Sequence, residues 1–317
     1  YTTGGSVIAA AKIMAMEAWQ GVSVNYQYAL GYNIFTLQPN VQTGEDVQFV
    51  FSRWMEQTWR SIGAPYRSYV HIGYLYDTAF QELREAERVQ YVRQQLRSQG
   101  AQFVLCYLDE LSSVEEYEHF LHWVLEDTTL GIVFKPKHPE ALFRRINRIS
   151  GLVEQAKQTG RCVFLSNVAG GRSKVFPAEA ALMSDLCIGI LLGTTAALEA
   201  RLAGTPTLLM DLHHMYNHPF YHWGAGKVVF DKWDALRAAV ERYRADPQAY
   251  PEFGNWSQAL NDLDPFQDGQ ASIRIGQYIG WIYNALQQGA SKQEALQTAA
   301  HRYAERWGEK HVSLMEQ

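Results

Sequence analysis

An α/β fold built on a doubly wound parallel sheet is what this sequence predicts, and three observations carry that expectation. From Gln102 to Arg244 short apolar runs alternate with helical stretches, and alternation over that length argues for parallel strands joined by right-handed crossovers. Several of the runs, such as Leu186 to Leu192, are continuously apolar, as in strands buried on both faces. Gly193-Thr194-Thr195 then cuts that run and opens a helix. In such sheets ligands bind beyond the carboxyl ends of the strands, and a helix that starts there offers free N–H groups and positive dipole to an anion.

Taken in order, Gly5 to Glu17 has a helical pattern, and Gly21 to Tyr28 alternates like a strand. Asp46 to Phe51 is a second strand, Arg53 to Ile62 a helix and Ser68 to Ile72 a third strand. A long helix, Ala79 to Gln99, ends at Gly100, and strand Gln102 to Leu108 follows. Helix Val114 to Glu126, strand Gly131 to Lys135, helix Glu140 to Gln158 and strand Cys162 to Leu165 continue the series. Helix Pro177 to Asp185, strand Leu186 to Leu192, helix Ala196 to Ala203 and strand Thr207 to Met210 come next. A loop dense in histidine and aromatic residues leads to strand Lys227 to Phe230 and helix Trp233 to Arg244, and Asp246-Pro247 breaks the chain. Two closing helices, Ala271 to Gln288 and Lys292 to Trp307, form the tail. Three regions are expected: 1–78, the end of one α/β domain; 79–245, a ligand-binding α/β domain; and 246–317, a helical tail packing across both.

With 317 residues, 47% of them hydrophobic, the chain can build two cores. A net charge of −5 argues against a nucleic-acid partner held by bulk positive charge. No apolar run reaches the roughly 18–20 residues of a membrane span. Cys106, Cys162 and Cys187 each fall inside an expected strand with no CxxC spacing, so reduced core thiols in the cytoplasm are expected rather than disulfides or a zinc site.

Ser184-Asp185 before the strand, Gly193-Thr194-Thr195 at its end, Glu199 one turn into the helix and Ala203-Gly204-Thr205-Pro206 after it resemble the nucleotide-sugar half of a GT-B glycosyltransferase. Within that group the resemblance is to capsule and surface-polysaccharide transferases, and it runs from about Val47 to Tyr243. The resemblance implies a GT-B-like fold: a Rossmann-like donor domain, part of a second Rossmann-like domain on the acceptor side, and C-terminal helices that cross back. It also implies that the hydroxyl pair and helix start at Gly193, Thr194 and Thr195 hold the donor phosphates, with Glu199 on the ribose or sugar. The same residues have ordinary uses as well: Thr195 as an N-cap, Gly204 as a helix stop, Glu199 as a solvated side chain. A capping box from Thr195 would put its acid at Leu198, so that cap does not explain Glu199. His71-Ile72-Gly73-Tyr74 is similar to the turn that leads into the cleft in this family, although the front half of an acceptor domain is missing.

Lys135-Pro136-Lys137-His138-Pro139 follows its strand at the ligand edge. The prolines stiffen a turn bearing two cations and an imidazole, suited to a diphosphate, with Lys135 and His138 the stronger candidates. The expectation is that they face the helix start after Leu192 from a neighbouring strand's tip. Asn167 to Lys174 is glycine-rich but lacks both GxxxxGK[ST] and GxGxxG; it reads as a surface loop, with Asn167 a secondary candidate for the donor base. His213 to Gly224 holds four of the ten histidines, without HExxH or a nearby cysteine, and reads as a donor-side lid with His218 near the sugar rather than a metal site. Asp264 to Arg274 resembles a motif that ends several surface-polysaccharide proteins; Asp268 suits a helix start, and Arg274 is a secondary candidate for an anion clamp. No catalytic base is legible.

The expected function is metal-independent transfer of a sugar from a nucleotide-sugar donor to a saccharide or lipid-linked acceptor, without a cofactor, in the cytoplasm and compatible with peripheral association at the inner face of the plasma membrane. A teichoic-acid-type polyol-phosphate transferase, a nucleotide-sugar 2-epimerase and a non-catalytic binding module are the alternatives. The epimerase signature Asp-Ser-Gly-Gly is replaced here by Leu192-Gly193-Thr194-Thr195.

Overall fold

A computed structural model describes residues 7–27, 29–30, 44–61, 63, 66–76, 79–109, 113–166, 168–169, 172–173, 175–192 and 194–314. The chain forms two compact units: residues 1–78 together with 259–317, and residues 79–258.

The first unit opens with helix α1 (Val7–Ala18), strand β1 (Val24–Tyr26), strand β2 (Val47–Val50), helix α2 (Arg53–Ser61) and strand β3 (Ser68–His71). β1, β2 and β3 are parallel, with β2 in the middle. Every residue of β2 and β3 is buried, the mark of strands covered on both faces.

The second unit begins with α3 (Phe80–Arg84) and α4 (Glu87–Ser98), where one helix was expected. Ala86 is extended (φ −61°, ψ 129°), and the Gln90 side chain donates to the Arg84 carbonyl at 3.0 Å across the break. The two pieces then bond separately: Arg84 reaches the Ala203 carbonyl (2.8 Å), while Arg88 grips Glu179 with two hydrogen bonds. Strand β4 (Phe103–Asp109), helix α5 (Val114–Glu126) and strand β5 (Leu130–Pro136) match the sequence pattern, and the Ser113 side chain caps α5 by accepting from the Glu115 N–H. The next expected helix is again divided, into α6 (Pro139–Arg145) and α7 (Ser150–Gln158) with a 3₁₀ turn, Ile146–Ile149, between them. Strand β6 (Cys162–Phe164) follows. The stretch read as a loop then carries two short antiparallel strands, β7 (Val168–Ala169) and β8 (Arg172–Ser173). Helix α8 (Pro177–Leu182), strand β9 (Leu186–Ile190), helix α9 (Thr194–Leu202) and strand β10 (Thr207–Met210) form the central αβαβ run. A turn of helix, α10 (Tyr221–Gly224), strand β11 (Val229–Phe230) and helix α11 (Trp233–Ala245) complete the series.

All six main strands are parallel, in the spatial order β11-β10-β9-β4-β5-β6. The sheet therefore grows outward in both directions from β4 and β9, the doubly wound order, and its topological switch point lies between those two strands. One face packs Tyr107, Phe134, Ile188 and Met210 against α5, α7 and α11; the other packs Val104, Leu108, Val133 and Cys187 against α4, α8 and α9. Cys106, Cys162 and Cys187 are free and buried.

After α12 (Ser257–Leu263) the chain returns to the first unit with α13 (Ala271–Gln287), α14 (Lys292–Trp307) and strand β12 (Val312–Leu314). Tyr278, Ile282, Leu296, Ala299 and Tyr303 pack on Val47, Phe49, Val70 and Ile72 of the four-stranded sheet. β12, which the sequence pattern does not signal, pairs antiparallel with β3 and makes the sheet mixed. Its Ser313 hydroxyl donates to Glu56 at 2.7 Å and accepts from Arg60 at 3.0 Å. No helix among the described residues is long and apolar enough to cross a membrane.

Candidate functional site

The carboxyl edge of the six-stranded sheet is where the topology puts a ligand crevice, and two of the expected site segments reach it. α9 begins at Thr194, four residues after β9 ends, so its first-turn N–H groups open at the switch point. Thr194 is 3% exposed, and its hydroxyl donates back to the Leu191 carbonyl. That bond fixes the turn into the helix. Thr195, half-buried, is a residue of the first helical turn rather than the N-cap. Gly193 and Asn167 lie outside the described residues.

Lys135 is the penultimate residue of β5. Strand alternation sends it away from Phe134, onto the sheet face that α8 and α9 cover. Lysine and helix start therefore share a rim and a face. They do not come from neighbouring strands, because β4 runs between β5 and β9. Two inter-strand steps put the strand axes roughly 9–10 Å apart, a gap on the scale of a diphosphate rather than a single phosphate. Lys135 is largely buried (8% exposed). His138 is exposed at the N-cap of α6, with Pro139 as the first helical residue, and its side chain does not cap the helix.

Glu199 is 5% exposed and turned inward: one carboxylate oxygen accepts from the Ala178 N–H at 3.0 Å. It thus satisfies a first-turn amide of α8, an N-terminal cap supplied by another helix. This explains physically why an acid stands one turn into α9, where no local capping box accounts for it.

Beyond β10, Asp211 organises the aromatic loop. Its buried carboxylate accepts from the Met215 N–H (2.6 Å), the His213 N–H (3.2 Å) and the Tyr221 hydroxyl (2.6 Å). Burial and that bond to Asp211 push the Tyr221 phenol up, so it stays a donor. His218 is 5% exposed, accepts from the Phe220 N–H through Nδ1 (3.2 Å) and packs edge-on to Phe220. Burial lowers its pKa to about 4, so the ring is neutral at pH 7. The loop is thus pinned from below, and His218 points into it. Asp211 carried no motif and was missed; the only hint was an acid directly after a predicted strand.

Arg274, in the first unit, is 1% exposed. Its guanidinium forks onto Asp268, donates to the Ile72 carbonyl (3.2 Å) and lies 3.5 Å from the Phe266 ring centroid. It fastens the start of α13 to the end of β3, and these contacts are structural. Asp268 accepts the Gln270 N–H at 3.0 Å, as its position suggested. A buried pair in the same unit has no precedent in the sequence reading: His71 Nε2 lies 2.6 Å from Glu56, whose other oxygen takes Arg60 and Ser313. Burial raises the Glu56 pKa, but His71, Ser313 and Arg60 outweigh it and hold the carboxyl at about 2.

Among the described residues no three His, Cys, Asp or Glu side chains cluster as metal ligands would.

No protein-family model matches the chain, and no curated protein matches it in sequence. Solved structures do match. The co-structure of S. aureus MnaA with UDP is 15% identical at a TM-score of 0.58, over 89% of this chain and 74% of that one. Anabaena HepE in complex with UDP and glucose is 14% identical at 0.52, over 84% and 74%. The wall teichoic acid polymerase TagF, soaked with CDPG, is 15% identical at 0.51, over 77% of this chain and 58% of the polymerase, so the chain spans little more than half of that protein. At these identities the likeness is one of fold, and the fold of this chain is the Rossmann-like α/β fold of the GT-B class.

Proposed function

We propose that this chain is a GT-B-type glycosyltransferase that takes a sugar from a nucleotide-linked donor and passes it to a surface or capsular polysaccharide or glycolipid precursor. The observation that carries the reading is the coincidence of three things at one rim: the switch point between β4 and β9, the amide-bearing start of α9, and Lys135 on the same face. Donor phosphates resting there would meet N–H dipoles and a cation. Such preorganised charge can stabilise a departing nucleoside diphosphate without a metal. Lys135, Thr194 and Thr195 are the residues assigned to the donor, with His138 at the outer edge. The structures of similar fold that hold UDP support a uridine or cytidine nucleotide over NAD.

Thermal denaturation of the purified chain with UDP, CDP and NAD tests this. A pyrimidine diphosphate at about 100 times its Kd should stabilise the fold by about 2.7 kcal/mol, and NAD should not. Replacing Lys135, Thr194 and Thr195 together with alanine should abolish the shift while leaving the far-UV spectrum intact; a shift that survives puts the site elsewhere.

A polyol-phosphate transferase is a second reading, favoured by the fold shared with a wall teichoic acid polymerase. Product analysis separates the two, because one yields a glycosidic bond and the other a phosphodiester.

A further inference from the structure

On the sheet face opposite Lys135 and α9, beneath the same carboxyl edge, the second unit has a pocket of about 90 Å³, with Glu115 and His119 exposed at its mouth. Its walls include the rings of Tyr107, Phe120 and Trp233 and the polar side chains of Glu115, Glu116 and His119; Ile188, Met210, Leu212 and Leu236 add aliphatic surface. The rings are locked together. Tyr107 and Phe120 lie 4.5 Å apart by centroid, Phe120 meets Trp233 edge-on at 4.7 Å, and His119 stacks on Trp233 at 4.8 Å. None of this belongs to the residues assigned to the donor.

The chemistry of the lining is selective. Among the described residues it contains two carboxylates and no lysine or arginine, which disfavours a phosphate or carboxylate. Glu116 Oε2 is buried and meets no hydrogen-bond partner among the described residues. A purely apolar occupant would leave that desolvated oxygen unsatisfied, a cost of about 1–3 kcal/mol. A cation with an apolar periphery satisfies both features: aromatic faces attract it, and the carboxylate takes its charge. The volume sets the size. Since a cavity of about 150 Å³ takes benzene, this one of about 90 Å³ takes a head of roughly four heavy atoms, the size of a trimethylammonium group, with the rest of the ligand at its open mouth.

We infer that this cavity is a binding site for a small organic cation, an alkylammonium or methylated ammonium head group, separate from the donor corner. Titration of the purified full chain with tetramethylammonium chloride and choline chloride, followed by tryptophan fluorescence and calorimetry, tests it. Sodium chloride controls for ionic strength, and 3,3-dimethylbutanol is the neutral isostere of choline. Saturable binding of the cations is expected, at least tenfold tighter than the isostere. Glu116→Gln should weaken binding about tenfold, and Trp233→Leu should weaken it comparably. Glu116 is partly exposed, so the Gln variant should keep the parent melting transition and remains informative if Trp233→Leu fails to fold. Absence of saturable binding, equal binding of the isostere, or unchanged binding in Glu116→Gln overturns the inference. None of these results depends on whether a nucleotide binds.

Discussion

His218 and His311 show how position alone sets the chemistry of a residue. Both are buried imidazoles whose pKa falls to about 4; burial is the main cause in each, joined for His311 by His71, Lys310 and Arg274. An unfolded histidine takes up its proton near 6.5, whereas these do so only near 4. Between those values the unfolded chain binds more protons, so the stability they contribute is complete above about pH 6.5 and is lost as the pH falls toward 4. Urea denaturation at pH 7 and pH 5 should show the loss, with His218 responsible for about 1–2 kcal/mol. His218→Gln should flatten that part of the profile. Glu56 adds little between pH 7 and pH 5, since its contribution is lost only as the pH falls below the unfolded value of 4.5 toward about 2. Gly73 shows the same dependence on surroundings. Its φ is +80°, and a Cβ there would lie 2.8 Å from Asp264, the buried carboxylate that accepts from the Tyr74, Phe266 and Gln267 N–H groups. Sequence marks the glycine as a turn; only the fold reveals the aspartate, nearly two hundred residues later, that requires it.

At the scale of elements, periodicity read well wherever one helix or strand is packed along its whole length. α5, β10 and α14 fall where the pattern puts them, because their apolar spacing is itself the instruction to bury one face. It failed where a neighbour interrupts a locally helical stretch. Nothing between Ala79 and Gln99 is a helix breaker, yet the chain bends at Ala86 so that Arg84 and Arg88 can meet different partners. β12 was invisible for a related reason. Three residues are too few to show alternation, and the strand exists because β3 offers an unpaired edge. Glu199 is the most instructive case, since its inward turn gives α8 a cap that α8 lacks in its own sequence. Glu199→Gln keeps an acceptor and should cost under about 1 kcal/mol, while Glu199→Ala should cost about 1–2 kcal/mol by urea denaturation. If the carboxylate also binds the donor, Glu199→Gln will reduce the nucleotide-induced shift beyond that small loss of stability.

For the whole molecule, the two units have separate cores. Tyr278, Ile282 and Leu296 belong to one, Ile132, Ile188 and Leu236 to the other. Both Ile282→Ala and Ile132→Ala should cost about 2–5 kcal/mol. In calorimetry they should lower different transitions, and nucleotide should raise the one sensitive to Ile132→Ala, because the α9 start and Lys135 lie in that unit. A nucleotide that raised only the transition sensitive to Ile282→Ala would contradict the donor assignment.

The sequence by itself determined the α/β class, the parallel alternation and the segments that reach the ligand edge, because burial on both faces and a glycine-bounded helix start are local properties of the chain. Tertiary structure alone decided which strands are neighbours. Lys135 stands two strands from α9 rather than one, since strand order is fixed by crossovers that no local pattern encodes. It also decided what each charged group faces. Glu199 caps α8 and Arg274 clasps Asp268 because, in a closed core, a buried charge settles on whichever partner the packing brings within hydrogen-bonding distance.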